Sequence, residues 1–355
     1  MDKGKATIAG AGVFGLACAW ECLRRGLSVT VLDPSGPGAG ASGGVVGALS
    51  PHPPAPWSAK KAAQAAALAA APDWWAEVAA AGGIDPGYAR IGRAIPLRDA
   101  AARARAEAHG AAAAAHWPGG AGWDILDPDA LPGWVAPEAA PFGVAREGLS
   151  ARLFPRAAVA ALAAAVRARG GEIAAGRADR DTPGPLVLAT GAAPLPGLPV
   201  GGVKGQAALL ACSAPPGTPM LYDEGLYVVP QPGGMVAVGS TSEAAWTHPG
   251  PDARLDEVIA RARALCPALA EAEVAERWAG VRPRAALPDP MVGPIPGWPG
   301  AIVAAGGFRT GFAQAPAVGR AAAALLAGEA SPAPESWGVP AHLAAMARKA
   351  AQRGG

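Results

Sequence analysis

The sequence predicts an α/β protein in which a Rossmann-like nucleotide-binding unit is interleaved with a second region built on a mixed, largely antiparallel sheet. Three observations carry that expectation. A strand, a Gly-x-Gly-x-x-Gly turn, a helix, a second strand and an acid follow one another between Lys5 and Asp33. A later helix, strand and Ala-Thr-Gly strand end, over 155–191, has the same character. Strand-like stretches at 226–230 and 236–243 flank the turn signal Pro232-Gly233-Gly234.

The elements follow in order. Residues 5–9 read as a short buried strand, and Gly10-Ala11-Gly12-Val13-Phe14-Gly15 is the glycine turn. Glycine supplies 49 of 355 residues, so the ordered strand, turn, helix, strand and acid carry the signal rather than the glycines alone. A helix over 13–25 stops at Gly26, a good C-terminal stop. Residues 27–32 form the second strand and Asp33 ends it. Gly10 allows the tight turn, Gly12 lets backbone approach a pyrophosphate, and Gly15 lets the helix pack on the sheet. The helix N-terminus offers amides to phosphates. Asp33 is placed to accept from a ribose hydroxyl, which fits FAD or NAD rather than NADP.

The next stretch separates those two. From Pro34 to Leu49 the chain is almost all small residues, where an NAD enzyme would enter another helix and strand of the same sheet. Small residues let backbone come close to a flat ligand, which favours FAD. The prolines at 51, 53, 54 and 56 make a loop near the site mouth. Residues 90–97 begin the second sheet. Leu153-Phe154-Pro155 opens a helix to 169, stopped by Gly170-Gly171, with a strand at 172–175. Strands over 226–230 and 236–243 flank a turn at Pro232-Gly233-Gly234. A helix covers 315–326, and residues beyond Ser331 read as a surface tail with a short helix at 341–352. There is no internal repeat.

Composition excludes several classes. The chain is 51% hydrophobic and 16% charged, enough for a large core and too apolar for wholesale disorder. Net charge is +2 with no long basic run, so no nucleic-acid partner is expected. Cys18, Cys22, Cys212 and Cys266 have no metal spacing and read as core thiols of a reduced, cytoplasmic protein. No signal peptide or membrane span is expected, because the apolar N-terminal stretch is broken by Gly10, Gly12 and Gly15.

The chain resembles the D-amino-acid oxidase superfamily, most closely its glycine oxidase and sarcosine oxidase branch. The resemblance is carried by Gly40-Ala41-Ser42 and Gly47-Ala48-Leu49 after Asp33, by Leu186-Val187-Leu188-Ala189-Thr190-Gly191, and by Val203-Lys204-Gly205-Gln206. It continues in Trp278-Ala279-Gly280-Val281-Arg282-Pro283 and Gly306-Gly307-Phe308-Arg309-Thr310-Gly311-Phe312. Two departures stand out. Ala48 replaces a methionine, so flavin contact there is expected from backbone. The 176–185 connection is shorter than the family's β-meander, which puts the local sheet and the adenine contact at Ala178 in question.

The resemblance implies a glutathione-reductase-type FAD-binding domain from 1–85, 146–200 and 290–330. A substrate domain would take 86–145 and 201–289, with 331–355 as a C-terminal tail. Non-covalent FAD would meet Gly10, Gly12, Val13, Phe14, Gly15, Asp33, Pro34, Ala41, Ser42, Val46, Gly47, Ala48, Leu49, Ala178, Gly191 and the 307–312 turn, Gly307 through Phe312. Arg282 matches the family's carboxylate arginine, and a planar guanidinium suits that task. Tyr227 matches a tyrosine that helps hold the carboxylate, and Arg309 an arginine beside flavin and substrate. Ser242 stands where glycine oxidase has a pocket-lining methionine, and His52 lies just past the flavin turn. No protein group is needed as catalyst if the amine enters neutral and hydride leaves to the flavin. The implied reaction is oxidation of a small amino acid or secondary amine, with oxygen or another electron acceptor. A homo-oligomer is compatible with the sequence. The alternatives are a dehydrogenase using a quinone or carrier, a 2-hydroxy-acid oxidoreductase or tRNA-modifying relative of this fold, and a non-catalytic flavin-binding partner.

Overall fold

A computed structural model of the chain describes residues 4–354; residues 1–3 and 355, which the expected domain bounds include, lie outside the described residues. The chain opens with β1 (Lys5–Ala9), α1 (Val13–Arg24) and β2 (Ser28–Leu32). Helix α1 is buried from Val13 through Cys22. Such a helix lies inside the molecule rather than on its surface. β3 (Ala48–Leu49) is short, and α2 (Ala59–Gly82) begins at a Ser58 cap and ends at Gly83, whose φ is 69°. Then come β4 (Arg93–Pro96), α3 (Ala100–His116), β5 (Trp123–Leu126), β6 (Val144–Glu147) and β7 (Ala151–Arg152). α4 (Pro155–Ala168), with proline at its first turn, leads to β8 (Glu172–Ala174) and β9 (Leu186–Leu188). The next run is β10 (Val200–Ala211), β11 (Met220–Asp223), β12 (Leu226–Gln231), β13 (Met235–Gly239), α5 (Arg254–Leu265) and β14 (Val274–Ala285). β15 (Met291–Pro294), β16 (Ala301–Ala305), α6 (Gly311–Leu326) and α7 (Val339–Gly354) complete the chain.

The strands form two large sheets. The six-stranded sheet has the order β15-β16-β9-β1-β2-β8, with β1 parallel to both β2 and β9. The short 175–185 connection leaves this sheet whole. β8 pairs with β2 through Thr30 and Glu172, and β9 pairs with β1 through Thr7 and Leu186. The eight-stranded sheet has the order β14-β10-β13-β12-β11-β4-β6-β5. It is antiparallel except where β4 runs parallel to β11, so the mixed character that the resemblance implied is present. Its longest pairing sets β10 against β14, placing Val203 opposite Arg282 and Gly205 opposite Gly280.

The main core joins α1, α2, α4 and α6 around Leu16, Trp20, Trp75 and Leu162, all wholly buried or within 1% of it. The segment after Ser331 differs from the surface tail expected of it. Trp337 and Val339 are buried, and His342 is fully enclosed. Leu287 N–H donates to His342 Nδ1 at 3.3 Å, and Nε2 stands 3.1 Å from the Pro290 carbonyl. That pairing needs a neutral ring protonated at Nε2. Burial supplies one, since it holds the imidazole below the ordinary 6.5.

Candidate functional site

One cavity of about 720 Å³ runs from the ends of β1 and β2 to the face of the eight-stranded sheet. Its size suits a small-molecule or cofactor site. Asp33, Pro34 and Ala178 line one end; Arg93, Tyr227 and Arg282 line the other.

The nucleotide end is made of backbone. Gly10 has φ of 105°, and a Cβ there would stand 2.3 Å from the Ala189 carbonyl oxygen, so the glycine turn sits directly on the Ala189-Thr190-Gly191 strand end. Gly15 lies beneath it, where a Cβ would meet the Gly10 carbonyl oxygen at 1.8 Å. Gly15 therefore packs the helix and is not on the cavity wall. Gly12 caps α1 without a side-chain bond, leaving first-turn amides open to an anion. Val13 is the exception, because its N–H donates to Ser42 Oγ at 3.0 Å. Asp33 does more than await a ribose. Its carboxylate accepts from Ala11 N–H at 2.8 Å, Ser35 N–H at 2.9 Å and Gly36 N–H at 3.1 Å, and so shapes the glycine turn.

Gly12, Val13, Phe14, Ala41, Ser42, Val46, Gly47, Ala48 and Gly191 all reach the wall, as do residues 307–312 at the start of α6. Leu49 does not. Successive strand residues point to opposite faces, so Ala48 borders the cavity while Leu49 is fully buried in the core. Thr190 Oγ1 and Ser50 Oγ border the cavity, buried and without a partner in the protein. A glycine cradle, an acid at its edge, open helix amides and orphaned hydroxyls fit a dinucleotide such as FAD. Gln231 fastens the loop beside it to the second sheet. Its amide nitrogen donates to the carbonyls of Val46 at 2.7 Å, Leu153 at 3.2 Å and Val45 at 3.3 Å.

The other end is made of side chains. Arg282 is half-buried on β14, while Arg284, two residues on, is exposed. Its Nη1 donates to Ser240 Oγ at 3.0 Å, and its Nη2 donates to the carbonyls of Thr241 and, at 3.4 Å, Lys204. Nε is buried without a partner. Burial, then repulsion from Arg309, lowers its pKa to about 10. It remains a cation at neutral pH. Phe308 lies under Arg282 and Arg309 at 5.4 and 5.5 Å to its ring centre. Arg309 itself is exposed at the wall. His52 stands at the mouth. Desolvation, then Lys60 and Lys61, hold its imidazole below 6.5 and neutral.

Ser242 is not in this cavity. β13 ends at Gly239, ahead of the expected strand end at 243, and Ser240 takes the place on the wall while Ser242 is exposed on another surface. Sequence reasoning missed Arg93. It is 4% exposed and lies 3.0 Å from Glu147 Oε1, with Nη1 3.5 Å from the Tyr227 hydroxyl and its guanidinium 5.3 Å from the Tyr222 ring. Glu147 is wholly buried and also accepts from Leu149 N–H at 2.8 Å and Ser150 N–H at 2.9 Å, which satisfies the carboxylate, while Arg93 Nε makes the charge contact without a hydrogen bond. The signal was a charge sharing a strand face with Ile91 and Ile95.

Comparisons with known proteins agree with this geometry. The sequence profile of the DAO family, FAD dependent oxidoreductase, matches residues 5–325. The chain is 33% identical to the putative thiamine biosynthesis oxidoreductase ThiO of Rhizobium etli over 346 residues, covering 92% of this chain and 97% of that protein. It is 36% identical to the glycine oxidase of Pseudomonas aeruginosa over 132 residues, 37% of this chain; the match spans 36% of that relative's length. The crystal structure of glycine oxidase from Geobacillus kaustophilus shares the fold, with TM-score 0.82 and 24% identity, covering 94% of this chain and 97% of that one.

Proposed function

The chain belongs to the FAD-dependent oxidoreductase (DAO) family, and on that premise we propose that it oxidises the carbon–nitrogen bond of a small amino acid or secondary amine, such as glycine, sarcosine or a D-amino acid. One observation carries the substrate class. A half-buried arginine, Arg282, and the Tyr227 hydroxyl border the same cavity that cradles the dinucleotide at its other end. Bound FAD supplies the hydride acceptor. The chain's own residues bind and orient. The Arg282 guanidinium meets the substrate carboxylate, Tyr227 adds a bond, and together they fix the substrate Cα in the cavity. No carboxylate lines the wall apart from Asp33, at the far end, so an anion at the arginine end meets no repulsion.

The glycine oxidases and ThiO among the relatives support this reading through their names. None of the four cysteines lines the cavity, in keeping with non-covalent FAD. The same proposal divides the chain into the cofactor and substrate domains bounded above, with oxygen or another acceptor closing the cycle. No described helix is long and apolar enough to cross a membrane.

The test is anaerobic mixing of the purified yellow protein with glycine, sarcosine and D-alanine. Bleaching by at least one of them is expected. Bleaching by a 2-hydroxy acid and by none of the amines would overturn the substrate class and leave the fold standing.

A further inference from the structure

Arg282 leans on groups that the proposed chemistry does not use. Its Nη2 is held by the carbonyls of Thr241 and Lys204. Gly205, between Lys204 and Gln206, is bare so that the guanidinium can lie on the strand; a Cβ there would come within 2.4 Å of Nη2. Behind these carbonyls sits a closed set of charges. Lys204 is fully buried, with Nζ 2.7 Å from Asp252 Oδ2 and 3.6 Å from Glu243 Oε2. Glu243, 8% exposed, accepts from Thr241 Oγ1 at 2.6 Å, Gln206 Nε2 at 2.9 Å and Arg254 Nη1 at 2.6 Å. Gln206 Nε2 reaches Asp252 Oδ1 at 2.8 Å, and Gln206 Oε1 accepts from Asp252 N–H at 2.7 Å. Lys204 and Glu243 exchange both backbone bonds at 2.9 Å. Burying a lysine and a glutamate is costly unless both are paired, and such networks serve to fix geometry more than to add stability.

We infer that Glu243, backed by Lys204 and Asp252, is a positioning residue: it locks the Thr241 and Lys204 carbonyls in place and thereby sets the direction in which Arg282 presents its guanidinium to the substrate carboxylate. The inference rests on Arg282 being the carboxylate clamp. Glu243 touches neither cofactor cradle nor cavity wall. It acts through Thr241, whose hydroxyl it holds and whose carbonyl holds Arg282. It also opposes the repulsion that Arg309 exerts on the Arg282 charge.

The test uses FAD-loaded protein and acetate as the probe of carboxylate binding, read by tryptophan fluorescence, since Trp278 lines the cavity. Glu243→Gln keeps the shape and removes the charge. Acetate affinity should fall about ten- to a hundredfold, the scale of a bond to a charged group. KM for the amino acid should rise in parallel, with kcat and FAD content close to wild type, while Tm drops because Lys204 keeps only Asp252 as its charged partner. Thr241→Val, which removes the hydroxyl that donates to Glu243 and accepts from Gln206 N–H at 2.9 Å, should move KM the same way by about a few-fold. Arg282→Ala is the reference. If it abolishes acetate binding while Glu243→Gln and Thr241→Val bind as wild type does, the positioning role is overturned and the clamp stands. If Arg282→Ala itself retains acetate binding, the clamp falls and the positioning role with it. Loss of FAD and of Tm in both network variants, without a selective rise in KM, would assign the network to folding and overturn the inference.

Discussion

The nucleotide end and the substrate end of the cavity are built from different material. At the nucleotide end the walls are backbone and small side chains, partly from segments close together in sequence, 10, 12–14, 33–34, 41–42 and 44–48, and partly from the later 176–178, 188–191 and 307–312. What matters there is which atoms are missing: a Cβ at Gly10 would collide with the Ala189 carbonyl. At the substrate end the walls are long polar side chains from β4, β12 and β14, which the sheet gathers from distant parts of the chain. There the decisive features are functional groups that are present and the partners that aim them. The first kind of site tolerates no added bulk; the second tolerates no lost charge.

That contrast sets an order of expected effects. Gly10→Ala should be the most severe, because the clash is with backbone and φ is 105°. The purified protein should be colourless, with FAD content on denaturation near zero; a yellow variant with full FAD would break the account of the cradle. Arg282→Ala should leave the yellow colour and FAD content intact. Removing one partner of a desolvated charge pair costs about 2–5 kcal/mol, so flavin reduction by an amino acid should slow by roughly two to three orders of magnitude. Equal slowing with an amine that lacks a carboxylate would show that Arg282 is not the clamp, and Arg309 would be tested next.

Asp33→Ala lies between the two kinds, because this acid both shapes the turn and faces the ligand. Three backbone bonds to a charged acceptor are lost. FAD affinity should fall about tenfold or more, at roughly 1.5–3 kcal/mol per bond to a charged group, and Tm should drop too. Unchanged FAD affinity in a titration would count against both roles. Tyr227→Phe should be milder, raising KM several-fold for about 1 kcal/mol of a neutral hydrogen bond, with kcat nearly unchanged. The smallest effect should come from His342, outside the cavity. Its folded pKa lies below the 6.5 of the unfolded chain, so the unfolded state binds the proton first as pH falls. Stability should be flat above about pH 6.5 and decline on acidification below it. A Tm-against-pH series should show this decline, and His342→Gln should flatten it.

Legibility in the sequence followed the same division. The glycine turn and Asp33 were readable because they are contiguous and their spacing has a physical reason, whereas 186–191 and 307–312 were readable only through the resemblance. Arg282 was readable because it matches the carboxylate arginine of the family's Trp-Ala-Gly-Leu-Arg-Pro element, on a stretch that alternates with Trp278 and Gly280. Arg93 was not, since its meaning depends on β4 lying beside β6, which brings Glu147 opposite it. Ser242 and Leu49 were placed by family correspondence, which does not fix side-chain direction: the strand's end at Gly239 and the pairing of β3 with β7 decide which residues face the cavity. The C-terminal segment looked like a surface tail because its alanines and charges mask the contacts made by Trp337 and His342.

Gln231 joins the two kinds of construction. One side-chain amide on the eight-stranded sheet engages the carbonyls of Val45 and Val46 in the loop beside the nucleotide cradle, and that of Leu153 as well. A loop this rich in small residues has many conformations in the free chain, and ordering it has an entropic cost. Because Gln231 orders it against a rigid sheet, that cost falls on folding and not on the arrival of the cofactor. The loop is preorganised, and affinity for the flavin gains by the ordering entropy that binding no longer has to supply.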